Sequence, residues 1–134
     1  MKMKLTTWIL LVLCLAISAG AAAQVPNAAD INVMAVYKAS VGVTDSIPDN
    51  LVNYNITSPA TIAAMIGGIE NDTLRDCVGY DAKNNAYLYV KFINGTRKVY
   101  HLYLNWMHFS KMDDRDHCYY ITPASQALFK SNAQ

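Results

Sequence analysis

The side chains best suited to recognition lie between residues 87 and 103, where tyrosines alternate with apolar residues. In two strands joined by a turn, alternate residues share a face of the sheet. One face of this pair would then carry Tyr87, Tyr89, Lys91, Arg97, His101 and Tyr103. Tyrosine and arginine are enriched in protein interfaces. The sequence therefore predicts a surface that binds another protein, and the alternative is a face that is covered by another segment or merely solvated.

Candidates for catalysis are few. His101 is the best general base, although an ordinary polar role on the tyrosine face is favoured for it. The sequence contains no motif of serine hydrolases, zinc proteases or phosphate-binding loops. The rival hypothesis is therefore a small secreted hydrolase that uses His101 or the pair Asp114 and His117, and no cofactor is expected.

A second group of polar residues surrounds Arg115. Carboxylates and imidazoles can hold a metal ion, and this group contains both: His108, Asp113, Asp114, Asp116 and His117. Their spacing matches no known ligand pattern, the calcium loop included. Because Arg115 would pair with its acidic neighbours, the sequence predicts a charged loop over residues 113–116 and no metal site.

Residues 1–23 predict a secretory signal peptide that is cleaved. Two lysines precede an apolar run over residues 8–17, and Ala21-Ala22-Ala23 supplies the small residues that signal peptidase requires. Cleavage is expected after Ala23, with cleavage after Ala21 as the alternative. The apolar run is shorter than the roughly 20 residues that span a bilayer. We therefore expect no stable membrane anchor and a periplasmic or secreted location.

Residues 24–134 are expected to form one small domain with a single core. Because two lysines leave with the leader, nine Lys and Arg remain against ten Asp and Glu, a net charge of about −1. This balance does not attract polyphosphate, so nucleic acid is not an expected partner.

Cys14 is removed with the signal peptide, so two cysteines remain in residues 24–134. We expect these two, Cys77 and Cys118, to form a disulfide. It would close a loop of about 40 residues and stabilise the fold by roughly 4 kcal/mol.

The elements that would position these residues follow from cap residues and periodicity. The pair Ser58-Pro59 and the apolar stripe after it predict a helix that ends near Asn71. The pair Thr122-Pro123 predicts a short C-terminal helix to about Lys130. Strands are predicted over residues 31–39, 77–81, 86–93, 96–106 and 117–121. The expected fold is α+β, an antiparallel sheet of about four strands with the main helix packed on one face, while the other face can stay open.

The register of the hairpin can be predicted from its apolar residues. A two-residue Asn94-Gly95 loop would pair Leu88 with His101 and would mix the apolar and polar faces. A three-residue loop that begins at Ile93 pairs Leu88 with Tyr100 and keeps the apolar sets together. The sequence therefore predicts a type I turn with Gly95 in the left-handed position of a bulge.

Size, export and the lack of a catalytic motif together favour a non-enzymatic domain that binds another protein. An enzyme inhibitor or an immunity-type protein fits this description. Besides the hydrolase, a module for a small ligand or glycan is an alternative, since tyrosines can stack on apolar faces.

We expect the exported protein to begin at Gln24 and to contain the Cys77–Cys118 disulfide. Intact-mass spectrometry should then give the mass of residues 24–134 less two hydrogens, and reduction should restore both hydrogens. A retained leader, or two thiols that react with an alkylating agent without reduction, would contradict this expectation.

Overall fold

Six antiparallel strands form one sheet in the computed structural model, which describes residues 25–38, 46–76, 85–103, 108–111 and 114–134. The strands are β1 (Ile31–Lys38), β2 (Ile69–Asp76), β3 (Asn85–Phe92), β4 (Arg97–Tyr103), β5 (His108–Lys111) and β6 (Asp114–Ile121), in the order β1-β3-β4-β5-β6-β2. Two helices accompany them, α1 (Pro59–Gly67) and α2 (Pro123–Asn132). The mixed α and β class is therefore confirmed, but the described residues contain six strands rather than about four.

Strand β2 lies where the sequence predicted the end of a helix. The apolar stripe predicts a helix to Asn71, whereas α1 ends at Gly67 and β2 begins at Ile69. Glycine is a poor helix former, and the helix ends at two consecutive glycines, Gly67 as its last residue and Gly68 as its C-cap. The predicted strand over residues 77–81 lies outside the described residues.

Strands β5 and β6 also differ from the prediction. The sequence predicts no strand over residues 107–112 and a charged loop over residues 113–116, but β5 spans His108–Lys111 and β6 begins at Asp114. Lys111 of β5 stands opposite Asp114 of β6. Pairing with neighbouring strands outweighs local sequence preference here, because strand formation depends on its context in the sheet.

Both helices begin with the predicted cap and proline. The Ser58 hydroxyl accepts a hydrogen bond from the Thr61 N–H, and the Thr122 hydroxyl accepts one from the Ser125 N–H, both at 3.4 Å. The two helices contact each other and pack on one face of the sheet. No helix in the described ranges combines the length and the apolar character that crossing a bilayer requires.

A core of buried apolar residues fills the space between the helices and the sheet. It contains Met34, Val36, Ile62, Met65, Ile66, Leu88, Val90, Tyr100, Leu102, Tyr119, Ile121 and Phe129. Three members come from the predicted apolar stripe of α1, which confirms the buried side of that helix. Burial of this apolar surface is the main favourable contribution to folding.

The outer edge of β1 is closed by residues from two distant segments. Ile56 pairs with Met34 through two backbone hydrogen bonds of 2.9 and 3.0 Å. Ala133 forms a parallel bridge with Val36, and the Gln134 N–H donates to the Val36 carbonyl at 2.9 Å. These bonds occupy backbone groups that could otherwise pair with the edge of another sheet.

The β3–β4 hairpin has the predicted register. Leu88 stands opposite Tyr100, and Gly95 has a φ of 86°, in the left-handed region. The Gly95 N–H donates to the Phe92 carbonyl, and the Phe92 N–H donates to the Thr96 carbonyl, each at 2.9 Å. The three-residue loop and its glycine bulge are therefore confirmed.

Gly68 lies at a close contact between the end of α1 and the start of α2. A Cβ atom at this position would overlap the side chain of Ser125 and would lie 2.6 Å from Thr122 Oγ1. The Gly68 carbonyl also accepts a hydrogen bond from the Thr122 N–H at 2.8 Å. At Gly67, by contrast, an added Cβ would meet nothing within 4 Å. The close approach therefore requires glycine at position 68 but not at position 67.

Replacing Gly68 with alanine should destabilise the protein, because the new methyl group forces α1 and α2 apart. Overpacking of this kind costs about 1–3 kcal/mol. The matched control is Gly67→Ala, which should be neutral or should stabilise by up to about 1 kcal/mol, since alanine is the better helix former. Urea denaturation of both variants checks the pair, and equal free energies of unfolding would show that the contact at Gly68 is not restrictive.

Candidate functional site

The strand register places the predicted tyrosine face on the side of the sheet opposite the helices. In β3 and β4, Tyr87 stands opposite His101, Lys91 opposite Arg97, and Asn85 opposite Tyr103. Tyr89 lies between Tyr87 and Lys91 on the same side of β3, because residues two apart share a face. All six predicted residues therefore occupy one face of the hairpin.

Residues 46–54, which we call the strap, cover the middle of this face. Val52 of the strap is buried in a second apolar cluster with Ala35 and Tyr89. Tyr89 has no exposed surface, while Tyr37 and Tyr87 are partly buried around it. The face is therefore partly covered by the chain itself, as the alternative interpretation of the sequence allowed, and Tyr89 is an internal support rather than an exposed contact.

Hydrogen bonds fix the strap to the strands beneath it. The Tyr37 hydroxyl accepts from the Asn53 N–H at 2.7 Å, and the Tyr89 hydroxyl accepts from the Ile47 N–H at 3.4 Å. The ring of Tyr37 meets the ring of Tyr89 edge to face, with centroids 5.6 Å apart and planes at 85°. This is a favoured geometry for aromatic pairs. The strap is thus held by the tyrosines that it covers.

The far end of the strap is connected to the edge of β1. The Gln134 side-chain amide donates to the Asn53 carbonyl at 2.9 Å and accepts from Asn53 Nδ2 at 3.0 Å. It also donates to the Asn55 side chain at 3.0 Å. Because Gln134 closes the β1 edge through its backbone, its side chain couples that edge to the strap.

Asp49 is the electrostatic centre of the strap. Its carboxylate accepts hydrogen bonds from the Tyr54 hydroxyl at 2.7 Å and from Lys91 Nζ at 3.1 Å. Arg97 Nη1 lies 3.8 Å from the same carboxylate and donates to the Ile47 carbonyl at 3.0 Å. Lys91 Nζ also lies 5.8 Å from the centre of the Tyr54 ring, within cation–π range. Two predicted residues, Lys91 and Arg97, therefore bind the strap itself.

These contacts change the ionisation of two groups. The hydrogen bonds from Tyr54 and Lys91 lower the pKa of Asp49 below its ordinary value of 3.8. Burial, together with the hydrogen bond to Asp49, raises the pKa of Tyr54 to about 12. At neutral pH the pair is therefore an ionised carboxylate that accepts a hydrogen bond from a neutral phenol.

His101 is buried against Tyr87 rather than exposed to solvent. Only 3% of its surface is accessible, and its ring stacks on the Tyr87 ring with centroids 5.3 Å apart and planes at 13°. A general base must come within hydrogen-bonding distance of the proton that it removes. In this arrangement a substrate in solvent does not reach the imidazole, so the geometry does not support the catalytic role considered for His101.

The acidic candidates and the cysteines are only partly described. Asp114 and His117 lie in β6, where His117 stands opposite Asp76. Within the described ranges, no group of three or more His, Cys, Asp or Glu residues could hold a metal ion. Cys118 stands opposite Arg75 in the sheet, but Cys77 lies outside the described residues, and the disulfide stays a prediction.

Among the described residues two large apolar side chains are exposed, and the sequence pattern predicts a binding role for neither. Leu51 is 67% exposed at the end of the short 3₁₀ turn Asp49–Leu51 in the strap, and Ile93 is 68% exposed at the tip of the hairpin. Beside Ile93 lies an open groove of about 490 Å³. The helices and strands predicted from the sequence leave residues 40–55 as a connection, although Ile47, Val52 and Tyr54 are apolar enough to indicate a segment that packs.

Tyr54 should make the stability of the protein fall at alkaline pH. In the unfolded chain a tyrosine ionises near 10.0, whereas folded Tyr54 keeps its proton to about 12. Its contribution is therefore complete below pH 10 and is lost as the pH rises through about 12. Wild-type protein should lose more stability over this interval than Tyr54→Phe, in which the group is missing. Urea denaturation at several pH values measures the difference, and parallel curves for the two proteins would contradict it.

Comparison with models of known protein families, with curated proteins and with solved structures finds no match in any of the three. No catalytic or binding residue is therefore transferred from another protein. Any function must be argued from the strap, the hairpin and the exposed side chains of this chain.

Proposed function

We propose that this protein is an exported, non-enzymatic domain that binds another protein through the strap and the adjoining part of the tyrosine face. An enzyme inhibitor or an immunity-type protein would act in this way. The observation that carries the proposal is the exposure of Leu51 on a segment that Asp49 fixes to Lys91 and Arg97. The leader supports export, and periplasm and external medium are both compatible with it.

The chemistry around Leu51 resembles that of a protein interface. Interfaces combine an apolar centre with a polar rim and are enriched in tyrosine and arginine. The strap offers an exposed leucine, and Tyr54, Lys91 and Arg97 surround the carboxylate of its turn. A partner would therefore meet one apolar anchor within a charged and aromatic border.

Preorganisation supports the same proposal. Ordering side chains and loops on binding reduces affinity. The strap is already ordered by the buried Val52, by the hydroxyl of Tyr37 and by the Asp49 contacts. A partner would not have to fix this segment, and its contact with Leu51 would add to affinity directly.

This proposal gives different roles to the six binding residues that the sequence predicted. Lys91 and Arg97 act at the border of the surface, and Tyr87 contributes its exposed part. Tyr89 and His101 support the surface from beneath. Tyr103 remains in the proposed site through its position on the same face of β4. The rival hydrolase is not supported at His101, which is buried, and its other candidate is the pair Asp114 and His117.

Leu51→Asp should abolish capture of the natural partner, because it places a charge at the apolar centre of the surface. Loss of a central anchor typically weakens binding by about 2 kcal/mol or more. The matched control is Ile93→Asp, which introduces the same charge at an equally exposed leucine-sized residue elsewhere. The measurement is affinity capture from the source's periplasm or medium, using the exported protein and both variants.

The expected result is a defined protein that wild type and Ile93→Asp retain and that Leu51→Asp loses. Equal capture by all three proteins would exclude the strap as the binding surface. Circular dichroism spectra that match wild type would show that neither variant has lost the fold.

A further inference from the structure

We propose that the tip of the β3–β4 hairpin is a contact surface between two copies of this chain. The groove at this tip would receive the hairpin tip of a second molecule related by a twofold axis. This surface is separate from the strap, and the inference does not depend on the partner proposed above.

The groove combines apolar side chains with two opposite charges. Its volume is about 490 Å³, and it is lined by Asp30, Phe92, Ile93, Asn94, Thr96 and Lys98. Phe92 is partly buried against the main core, while Ile93 is 68% exposed beside it. An exposed isoleucine next to an open groove provides both parts of an apolar contact, the side chain that inserts and the surface that receives it.

The hairpin tip is fixed before any contact forms. The Asn94 side-chain carbonyl accepts from the Thr96 N–H at 3.0 Å and from the Thr96 hydroxyl at 2.7 Å. The Ile93 N–H donates to the Asp30 carbonyl at 2.9 Å, which joins the tip to the start of β1. Because the turn does not have to be ordered on association, the entropic cost of binding is reduced.

The charges of the groove select a second copy as the occupant. Asp30 and Lys98 are both exposed, and neither forms an ion pair with another of the described residues. In a twofold contact, if residue i of one copy meets residue j of the other, j also meets i. Asp30 of each molecule can therefore meet Lys98 of the other, so the contact contains two such ion pairs. A partner of one charge sign would leave Asp30 or Lys98 facing a like charge.

The expected dimer is weak. Exposed ion pairs contribute little affinity and mainly determine orientation, and we expect a surface centred on one isoleucine to bury less than the roughly 1,000 Å² that a specific interface needs. Self-association should therefore depend on concentration in the micromolar range and above, which is the weak end for protein contacts. The strap remains exposed in such a dimer and can still bind its partner.

Sedimentation equilibrium of the exported protein at increasing concentration tests the proposal. Wild type should shift from the monomer mass towards twice that mass, and Ile93→Asp should remain a monomer. Leu51→Asp is the matched control and should associate like wild type, because its new charge lies on the strap. Loss of partner capture and loss of association are thus separable results.

Exchanging the charges at positions 30 and 98 gives a second test of the dimer, with the strength of self-association as the measured quantity. Asp30→Lys and Lys98→Asp should each weaken association at least about tenfold, because each places like charges together. The double variant should restore it, since the pairs re-form with reversed signs. A wild-type protein that stays monomeric at every concentration, or a double variant no better than the single ones, would overturn the proposal. Restoration would show that the fold tolerates both substitutions together, and circular dichroism of the single variants checks that each of them is folded.

Discussion

The arrangement of this domain depends on strand β3 being buried on both of its faces. Leu88 and Val90 face the core beneath the helices, and Tyr89 between them is buried against Val52 of the strap. In antiparallel sheets one face commonly remains in water, so a strand buried twice needs a second covering layer. A buried tyrosine also needs a partner for its hydroxyl, and the Ile47 N–H lies 3.4 Å from it. The strap therefore meets both an apolar and a polar requirement of one strand.

Much of the hairpin could be predicted because its information is local. Alternation along two adjacent strands determines which residues share a face, and only one loop length keeps the apolar sets together. Leu88 opposite Tyr100 and the positive φ of Gly95 follow from that pattern. The start of α1 was equally local, since Ser58 and Pro59 carry the signal. The end of α1 could not be predicted from local sequence, because the apolar stripe continues to Ile69, which already belongs to β2.

The candidate site could be predicted only in part because its decisive contacts join distant residues. Asp49 and Lys91 are 42 positions apart, and no periodic pattern in the connection indicates that it returns to the tyrosine face. The tyrosine face could be predicted from the alternation of residues along β3 and β4, but its covering by the strap could not. Burial therefore changed the roles of its residues: Tyr89 and His101 became supports, while Leu51, which belongs to no regular pattern, became the exposed anchor.

The bridge between Val36 and Ala133 has a consequence for how the chain is made. The two residues are separated by about 100 positions, so β1 leaves the ribosome long before the segment that closes its edge. Until residues 133 and 134 have been made, the backbone groups of one edge strand have no native partner from that segment. An unpaired edge is a template for aggregation, and the β1 edge is open to such pairing during this interval. Residues 133 and 134 thus protect the β1 edge from other chains as well as completing the fold around it.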